Sequence, residues 1–273
     1  MTAPQKGCFQ PLHDAHAIEQ VGIGVTFIDP LDDKAFREVI KAVKQEFGNE
    51  LPGQAPVQTL QFALGAPSRP IPAINGYVFS RSRADGVVES ELRMDANSFG
   101  FRTAVYTCWH EVWGEASRYF NLLIRLYCER RISEIALNFV DKFNWIGAPE
   151  ECRAKHVLRQ GSPYVCPHIF DAPEQWHSYT GVFEKGSDRV KRLLNLNVDL
   201  LEHYPIDGRQ LFVQLTTLLT DRLNQPGYAP SLEMSVQETV DFTLQDISAM
   251  HDRSKQVFIS VINDAMCKRV GIM

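Results

Sequence analysis

Residues 76–95 read GYVFSRSRADGVVESELRMD, and residues 106–143 read YTCWHEVWGEASRYFNLLIRLYCERRISEIALNFVDKF. The first stretch alternates apolar and polar residues on both sides of Asp85-Gly86, a dipeptide typical of β-hairpins. The second begins with apolar residues at helical spacing and ends in another alternating run, 132–143. Two strands, a long helix and a further strand in one block predict an antiparallel sheet packed against a helix.

The aromatic residues of the predicted helix 106–131 are expected in the core. Apolar residues recur every three or four positions along it, as on the buried stripe of an amphipathic helix. The stripe consists of Trp109, Trp113, Ala116, Phe120, Leu123 and Tyr127. Such a stripe is far more often a packing surface than a place where a ligand stacks.

The remainder of the chain extends the same α+β pattern. A helix is predicted from Asp29-Pro30 to Gly48, and Ser235 with Glu238 forms a capping box for a last helix, 238–270. We therefore predict an α+β fold in which one antiparallel sheet, or two half-sheets, is covered by the two long helices 106–131 and 238–270.

The stretch Gly147–Glu150 is the best candidate for a boundary within the chain. Residues 1–147 and 148–273 would then be two α+β halves of one compact unit. Because each half has strands followed by a long helix, the pattern suggests two pseudo-repeated halves, although no repeat is visible residue by residue.

Composition indicates an ordinary globular protein. Of the 273 residues, 44% are hydrophobic and 22% charged, and the net charge is -5, so the basic excess typical of nucleic-acid binders is absent. No apolar run approaches the roughly 20 residues that span a bilayer. The six cysteines form no C-x-x-C pair. We expect a cytoplasmic protein with reduced thiols, and we expect neither a metal nor a cofactor.

No complete catalytic motif is present, so candidate ligand-binding residues come from local patterns. Asn195, Asn197 and Asp199 alternate with leucine and valine, which predicts a strand with one polar face. His168 and His177 add titratable groups shortly before this strand, and together the five residues are the candidate ligand-binding site. An ordinary solvated sheet face explains the same pattern, and a metal site at Cys166-Pro167-His168 would lack a second pair of ligands.

A second set of candidates is basic. Arg118, Arg125 and Arg130 of the helix 106–131 lie largely off its apolar stripe. Together with Arg131 they are the candidate nucleic-acid contacts.

The chain also resembles a sporadically distributed family of bacterial and archaeal proteins of about this length, for which no activity is established. The resemblance is carried by VGIGVTF, GYVFSRSRADGVVE, RISEIALNFVDKF and HDRSKQVFISVINDA. Members tend to have arginine where this chain has Asn138, and asparagine where it has Asp141. The resemblance implies an α+β fold, and its patchy distribution is similar to that of mobile accessory genes, such as host-defence or toxin–antitoxin partners.

Together these observations favour a non-enzymatic protein-binding protein of a bacterial defence or toxin–antitoxin-like system. Its partner would be a protein encoded nearby, and no membrane is involved. Two alternatives stay open. One is a small-molecule or nucleotide-processing enzyme with its site on the polar sheet face of the C-terminal half, and the other is a nucleic-acid-binding accessory protein.

Overall fold

The computed structural model describes residues 7–61, 71–127, 130–172, 175–185, 190–205, 208–224 and 234–272. Strands and helices within these ranges confirm a mixed α and β fold with a large antiparallel sheet. The strands are β1 Cys8–Pro11, β2 Ile18–Phe27, β3 Gly53–Gln61, β4 Ile71–Ser82, β5 Val88–Asp95, β6 Ser98–Thr103, β7 Ile132–Ile146, β8 His177–Lys185, β9 Lys191–His203 and β10 Gln210–Arg222. The helices are α1 Asp33–Phe47, α2 Trp109–Leu126, α3 Val236–Val261 and α4 Asp264–Arg269.

The described strands form a ten-stranded sheet with the order β3-β4-β5-β6-β2-β7-β10-β9-β8, and β1 pairs with β7. Two series of neighbouring strands follow chain order, β3 to β6 and β8 to β10. In each series the last strand lies beside a strand that precedes the series in the chain, β2 beside β6 and β7 beside β10. The Asp85-Gly86 hairpin between β4 and β5 is confirmed, because Gly86 has φ +85° and Arg83 N–H donates to the Val87 carbonyl at 2.9 Å.

The chain divides into two compact units that are discontinuous in sequence. The first, here called the β8 unit, contains the chain up to Val21, Leu137–Asp221 and the chain from Asp246 onward. The second, the β4 unit, contains Gly22–Ala136 and Arg222–Gln245. The boundaries of these units differ from those of the sequence halves 1–147 and 148–273, and β2, β7, β10 and α3 each contribute residues to both units.

Aromatic residues form the core of the β4 unit. Phe27 stacks on Tyr127 with ring centres 4.8 Å apart, and Phe99 meets Phe120 edge to face at 5.1 Å. Phe47 of α1 meets Tyr119 of α2 edge to face at 4.7 Å, and all six of these side chains are at most 5% exposed. Each such burial contributes on the order of 2 kcal/mol, and the block 76–143 supplies Phe99, Tyr119, Phe120 and Tyr127 to this core, whereas Phe27 and Phe47 come from outside it.

The predicted core stripe of α2 is only partly correct. Ala116, Phe120, Leu123 and Tyr127 are buried, but Trp109 and Trp113 are half-buried. The two indole rings stack on each other with centres 5.6 Å apart and planes 3° from parallel. Val112, which lies between them in the sequence, is only 4% exposed, so the first turn of α2 reaches the core although the two tryptophans are not fully buried.

Two predicted helix boundaries are wrong. The first helix begins after Asp32, whose carboxylate accepts the Ala35 N–H at 2.8 Å, and not at Asp29-Pro30. The predicted helix 238–270 is two helices, because α3 ends at Val261 and Asn263 caps α4 by accepting the Met266 N–H at 2.9 Å.

In the β8 unit, β9 shows how one sheet face is buried. Leu194, Leu196, Val198 and Leu200 are at most 6% exposed, and alternate residues between them are half-buried. Ring contacts between β7 and α3, such as Phe143 with Phe258 at 6.4 Å, place α3 on the buried face. We call the opposite side of β8 and β9 the open face.

Candidate functional site

The open face of the β8 unit brings together four of the five predicted ligand-binding residues. Strands β8 and β9 are antiparallel, with His177 opposite Asp199, Tyr179 opposite Asn197 and Gly181 opposite Asn195. Because alternate residues of a strand face the same side, these positions share the open face. The predicted polar face of β9 is therefore present, and β8 adds His177 and Tyr179 to it.

Hydrogen bonds join these residues into two adjacent sets on the open face, together called the His177 group: His177, Asn197 and Asp199 in one set, and Tyr179 and Asn195 in the other. The His177 Nδ1 atom contacts Asp199 Oδ1, and the Asn197 Nδ2 amide donates to Asp199 Oδ2 at 2.7 Å. The Tyr179 hydroxyl donates to Asn195 Oδ1 at 2.8 Å. A carboxylate can only accept, so His177 Nδ1 is the donor in this contact and Nε2 points away from Asp199.

The contact with Asp199 fixes the orientation of the His177 ring, but the ring is exposed to solvent. The His177 side chain is 60% exposed, whereas the Asp199 side chain is 15% exposed. His168 is not part of the group, because it is an exposed residue of the short 3-10 turn Pro167–Phe170 and none of the hydrogen bonds above involves it. Within the described ranges, no three His, Cys, Asp or Glu side chains gather into a possible metal site.

The same strand carries large exposed side chains that the sequence interpretation missed, Tyr179 and Phe183 on the open face and Val182 on the other face. Tyr179 is 58% exposed, Phe183 52% and Val182 39%, and these are large side chains on a strand that ends the sheet order. The Lys191 ammonium lies 4.4 Å from the centre of the Phe183 ring, a cation–π contact that orients the ring. The sequence YTGVF at residues 179–183 could have predicted these aromatic residues on one strand face, because they lie four positions apart in a short alternating strand.

The buried side of β8 is fixed by polar contacts. Arg253 of α3 donates through Nε to Glu184 Oε2 at 2.9 Å and through Nη2 to the Tyr164 hydroxyl at 2.7 Å. The Thr180 hydroxyl donates to the Tyr164 carbonyl at 2.8 Å, and the Ser178 hydroxyl accepts the Cys166 N–H at 3.0 Å. The strand is thus held at several points along one face, which leaves its open face and its outer edge in a fixed position.

A small depression of about 230 Å³ lies elsewhere in the β8 unit. It is lined by Lys142, Asn144, Glu202, His203, Gln210 and Phe212. The Lys142 ammonium lies 4.2 Å from the Phe212 ring centre and 3.5 Å from Glu19 Oε1, so its charge is already matched. None of the predicted site residues lines it.

The four predicted nucleic-acid contacts lie in the β4 unit and have partners there. Arg118 pairs with Glu50 through two hydrogen bonds of 3.0 and 2.7 Å, and these bonds lower the pKa of that carboxyl. Arg125 donates to Asn121 and Gln237, Arg131 lies 3.8 Å from Asp29, and Arg130 also has a partner. This arrangement favours a structural role over phosphate binding, and nucleic-acid binding stays a prediction.

Three carboxyl groups of the β8 unit lie at the helix-covered face: Asp221 and Asp141, which are buried, and Asp246, which is half-buried. Arg192 holds Asp221 at 2.7 and 2.5 Å and reaches Asp246 at 3.4 Å, and Asp221 is fully buried. Burial, followed by the Asp221 charge, raises the pKa of Asp246. Asp141 is 4% exposed, and burial raises its pKa to about 7. Because these groups face the packed side of the sheet, we assign them to stability.

Comparison with known proteins adds no external assignment to this geometry. No helix within the described ranges has the length and apolar character needed to cross a membrane. The chain matches no protein-family description, no curated protein and no solved structure.

Proposed function

We propose that this chain is a non-enzymatic protein-binding protein and that strand β8 is its docking element. The observation that carries the proposal is the exposure of Tyr179, Val182 and Phe183 on the terminal strand of the sheet. An end strand has one row of backbone N–H and C=O groups without a strand neighbour, and extended segments add to such rows by β-augmentation.

Three properties of β8 support docking. Tyrosine and phenylalanine are large, rigid contact residues, and tyrosine is enriched where proteins bind one another. The strand is fixed from behind by Arg253 and Tyr164, so little ordering is required on binding. The His177 group, on the same face as Phe183, supplies a polar rim whose side chains are held by hydrogen bonds, while the buried Asn197 Oδ1 has no partner among the described residues.

The test is capture of a partner from the host with Phe183→Glu as the disrupting change. Val105→Glu is the matched control, because Val105 is 46% exposed and lies in the β4 unit. We expect a protein to co-purify in fixed ratio with the wild type and with Val105→Glu but to be lost with Phe183→Glu. A chain that isolates as an inert monomer without any partner, or equal capture by both variants, would refute the proposal.

The biological setting is a further part of this proposal. The family resemblance favours an accessory role in a bacterial defence or toxin–antitoxin-like system, with a partner encoded nearby and a cytoplasmic location. The products of adjacent genes are therefore the first partners to test against the Phe183→Glu variant.

A second candidate, a small-molecule or nucleotide-processing enzyme, is favoured by one observation. His177, Asn197 and Asp199 converge within hydrogen-bond reach, and an Asp–His contact of this kind orients Nε2 as a general base. The expected signature is a ligand from a metabolite panel that perturbs the His177 ring signals in NMR spectra and raises the melting temperature of the wild type. His177→Gln should lose that shift; if no compound moves the His177 signals, the enzyme candidate is discarded.

We also infer that the chain contains two pseudo-repeated halves, with α2 and α3 as corresponding long helices. The inference is supported by the shared strand connectivity, in which a leading strand lies beside the last strand of the series that follows it. Superposition of β2, β4, β5 and β6 on β7, β8, β9 and β10 should align these strands in chain order and place α2 on α3. A superposition that needs a different strand order would contradict duplication.

A further inference from the structure

The central residues of β8 are symmetric in chemical class. Residues 179–183 read Tyr-Thr-Gly-Val-Phe: an aromatic, a β-branched residue, glycine, a β-branched residue and an aromatic. Tyr179 and Phe183 are each two positions from Gly181, so both lie on the open face. Such a strand is complementary to itself when it is reversed.

We propose that β8 pairs antiparallel with β8 of a second copy of this chain, in a register centred on Gly181. This inference rests on the proposed function of β8 as the docking element, and it assigns the outer edge of β8 to a second copy of this chain instead of the product of an adjacent gene. In that register Tyr179 of each copy lies opposite Phe183 of the other, at the cross-strand spacing of about 5 Å where aromatic residues pack. Thr180 lies opposite Val182 on the other face, and Gly181 lies opposite Gly181.

The local contacts of β8 suit this register. Gly181 has no side chain between the two aromatic pairs, and a β-carbon there would lie 3.1 Å from Asn195 Oδ1 and 3.3 Å from the Tyr179 hydroxyl. Ser178 would lie opposite Glu184, whose carboxylate is already paired with Arg253. No unpaired carboxylate is therefore brought against another across the axis.

The symmetry also indicates a closed dimer and not a fibre. A two-fold axis through Gly181 uses the same surface of both copies, so one pairing event occupies the outer edge of both β8 strands. The opposite end of the sheet is β3, which contains Pro56. Proline lacks the N–H that a ladder needs and is a common means of blocking edge-to-edge pairing.

A charge-swap series measured by sedimentation equilibrium tests the register. We expect the wild type to show a two-chain mass and both single variants, Tyr179→Lys and Phe183→Glu, to show a one-chain mass. The double variant should regain the two-chain mass, because the lysine introduced at position 179 of each copy would face the glutamate introduced at position 183 of the other. Val105→Glu is the control and should keep the two-chain mass, and circular dichroism checks that each variant is folded.

Each other outcome has a defined meaning. A monomeric wild type overturns the inference, as does a dimer that both single variants retain. A double variant that stays monomeric, although folded, overturns the register centred on Gly181. If the wild type is monomeric while Phe183→Glu still loses a captured partner, the inference fails and the proposed function stands. If Phe183→Glu changes neither mass nor capture, both fail.

Discussion

Replacing Asp141 by asparagine should stabilise the protein at alkaline pH and change its stability little at acidic pH. Asp141 lies on the helix-covered face of β7 between Phe139 and Phe143, and it is 4% exposed. Burial raises the pKa of its carboxyl from 3.8 to about 7. The folded state therefore binds the proton more tightly than the unfolded state does, and ionisation of the carboxyl opposes folding.

The magnitude follows from the two pKa values. Below 3.8 both states are protonated and no stability is lost; the loss grows as pH rises from 3.8 to about 7 and then levels off. A pKa difference of about three corresponds to roughly 4 kcal/mol at about pH 8, and to less than half of that at about pH 5. Asparagine has a similar shape and does not ionise, so Asp141→Asn should escape the loss.

The assay is urea unfolding of both proteins at about pH 5 and about pH 8. We expect the stability advantage of Asp141→Asn to increase by roughly 2 to 3 kcal/mol between these conditions. Any packing cost of the amide is the same at both pH values and cancels. Burial lowers the pKa of nearby His251, but that residue is present in both proteins and cancels as well.

Asp14→Asn is the matched control, because Asp14 is exposed and undergoes the same chemical change. Its effect on the free energy of unfolding should be nearly independent of pH. An Asp141→Asn advantage that is equal at both pH values would refute the argument, since the carboxyl would then not carry a raised pKa in the folded chain.

Three further changes test individual contacts. Arg192→Met should cost about 3 to 5 kcal/mol in urea unfolding, because it leaves the fully buried Asp221 carboxylate without its cation; a loss below about 1 kcal/mol would contradict the network. Asp32→Ala should cost about 1 kcal/mol by removing the cap of α1, and an unchanged melting temperature would argue against the cap. Gly86→Ala should cost about 1 to 2 kcal/mol in the same assay, because alanine is strained at the φ of +85° that Gly86 adopts, even though a β-carbon there would meet no atom within 4 Å. An alanine variant as stable as the wild type would show that the hairpin relaxes.

Much of the fold follows from local patterns, and its exceptions have local causes. The Asp85-Gly86 hairpin is predictable because the turn chemistry and the flanking alternation agree. The break between α3 and α4 is not predictable in this way, because apolar residues continue at helical spacing across it. Asn263 is a good helix cap, and it starts α4 directly after Ile262, which forms a β-bridge with Leu158 and so interrupts the helix.

The candidate site, like the fold, is only partly predictable from the sequence. The alternation on β9 places Asn195, Asn197 and Asp199 on one face without knowledge of the fold. The contact of His177 with Asp199 depends on the register of β8 against β9, and His168 belongs to a turn that no periodicity describes. The exposure of Phe183 depends on which strand ends the sheet, a property of the whole topology that a local pattern does not contain.

The placement of β2 and β7 beside the last strands of the series that follow them has a consequence for folding. The Phe27 N–H bonds to the Asn97 carbonyl, and the Leu223 N–H bonds to the Ser133 carbonyl, so these ladders close loops of many tens of residues. Closure of such long loops is slow, because the chain loses conformational entropy before the contacts between the strands form. During synthesis β2 would emerge before β6, and β7 before β10, so each leading strand would remain unpaired until its partner is made, and β7 would remain so for longer. We expect refolding in milliseconds to seconds, with the hairpins of each series formed first and the leading strands added last.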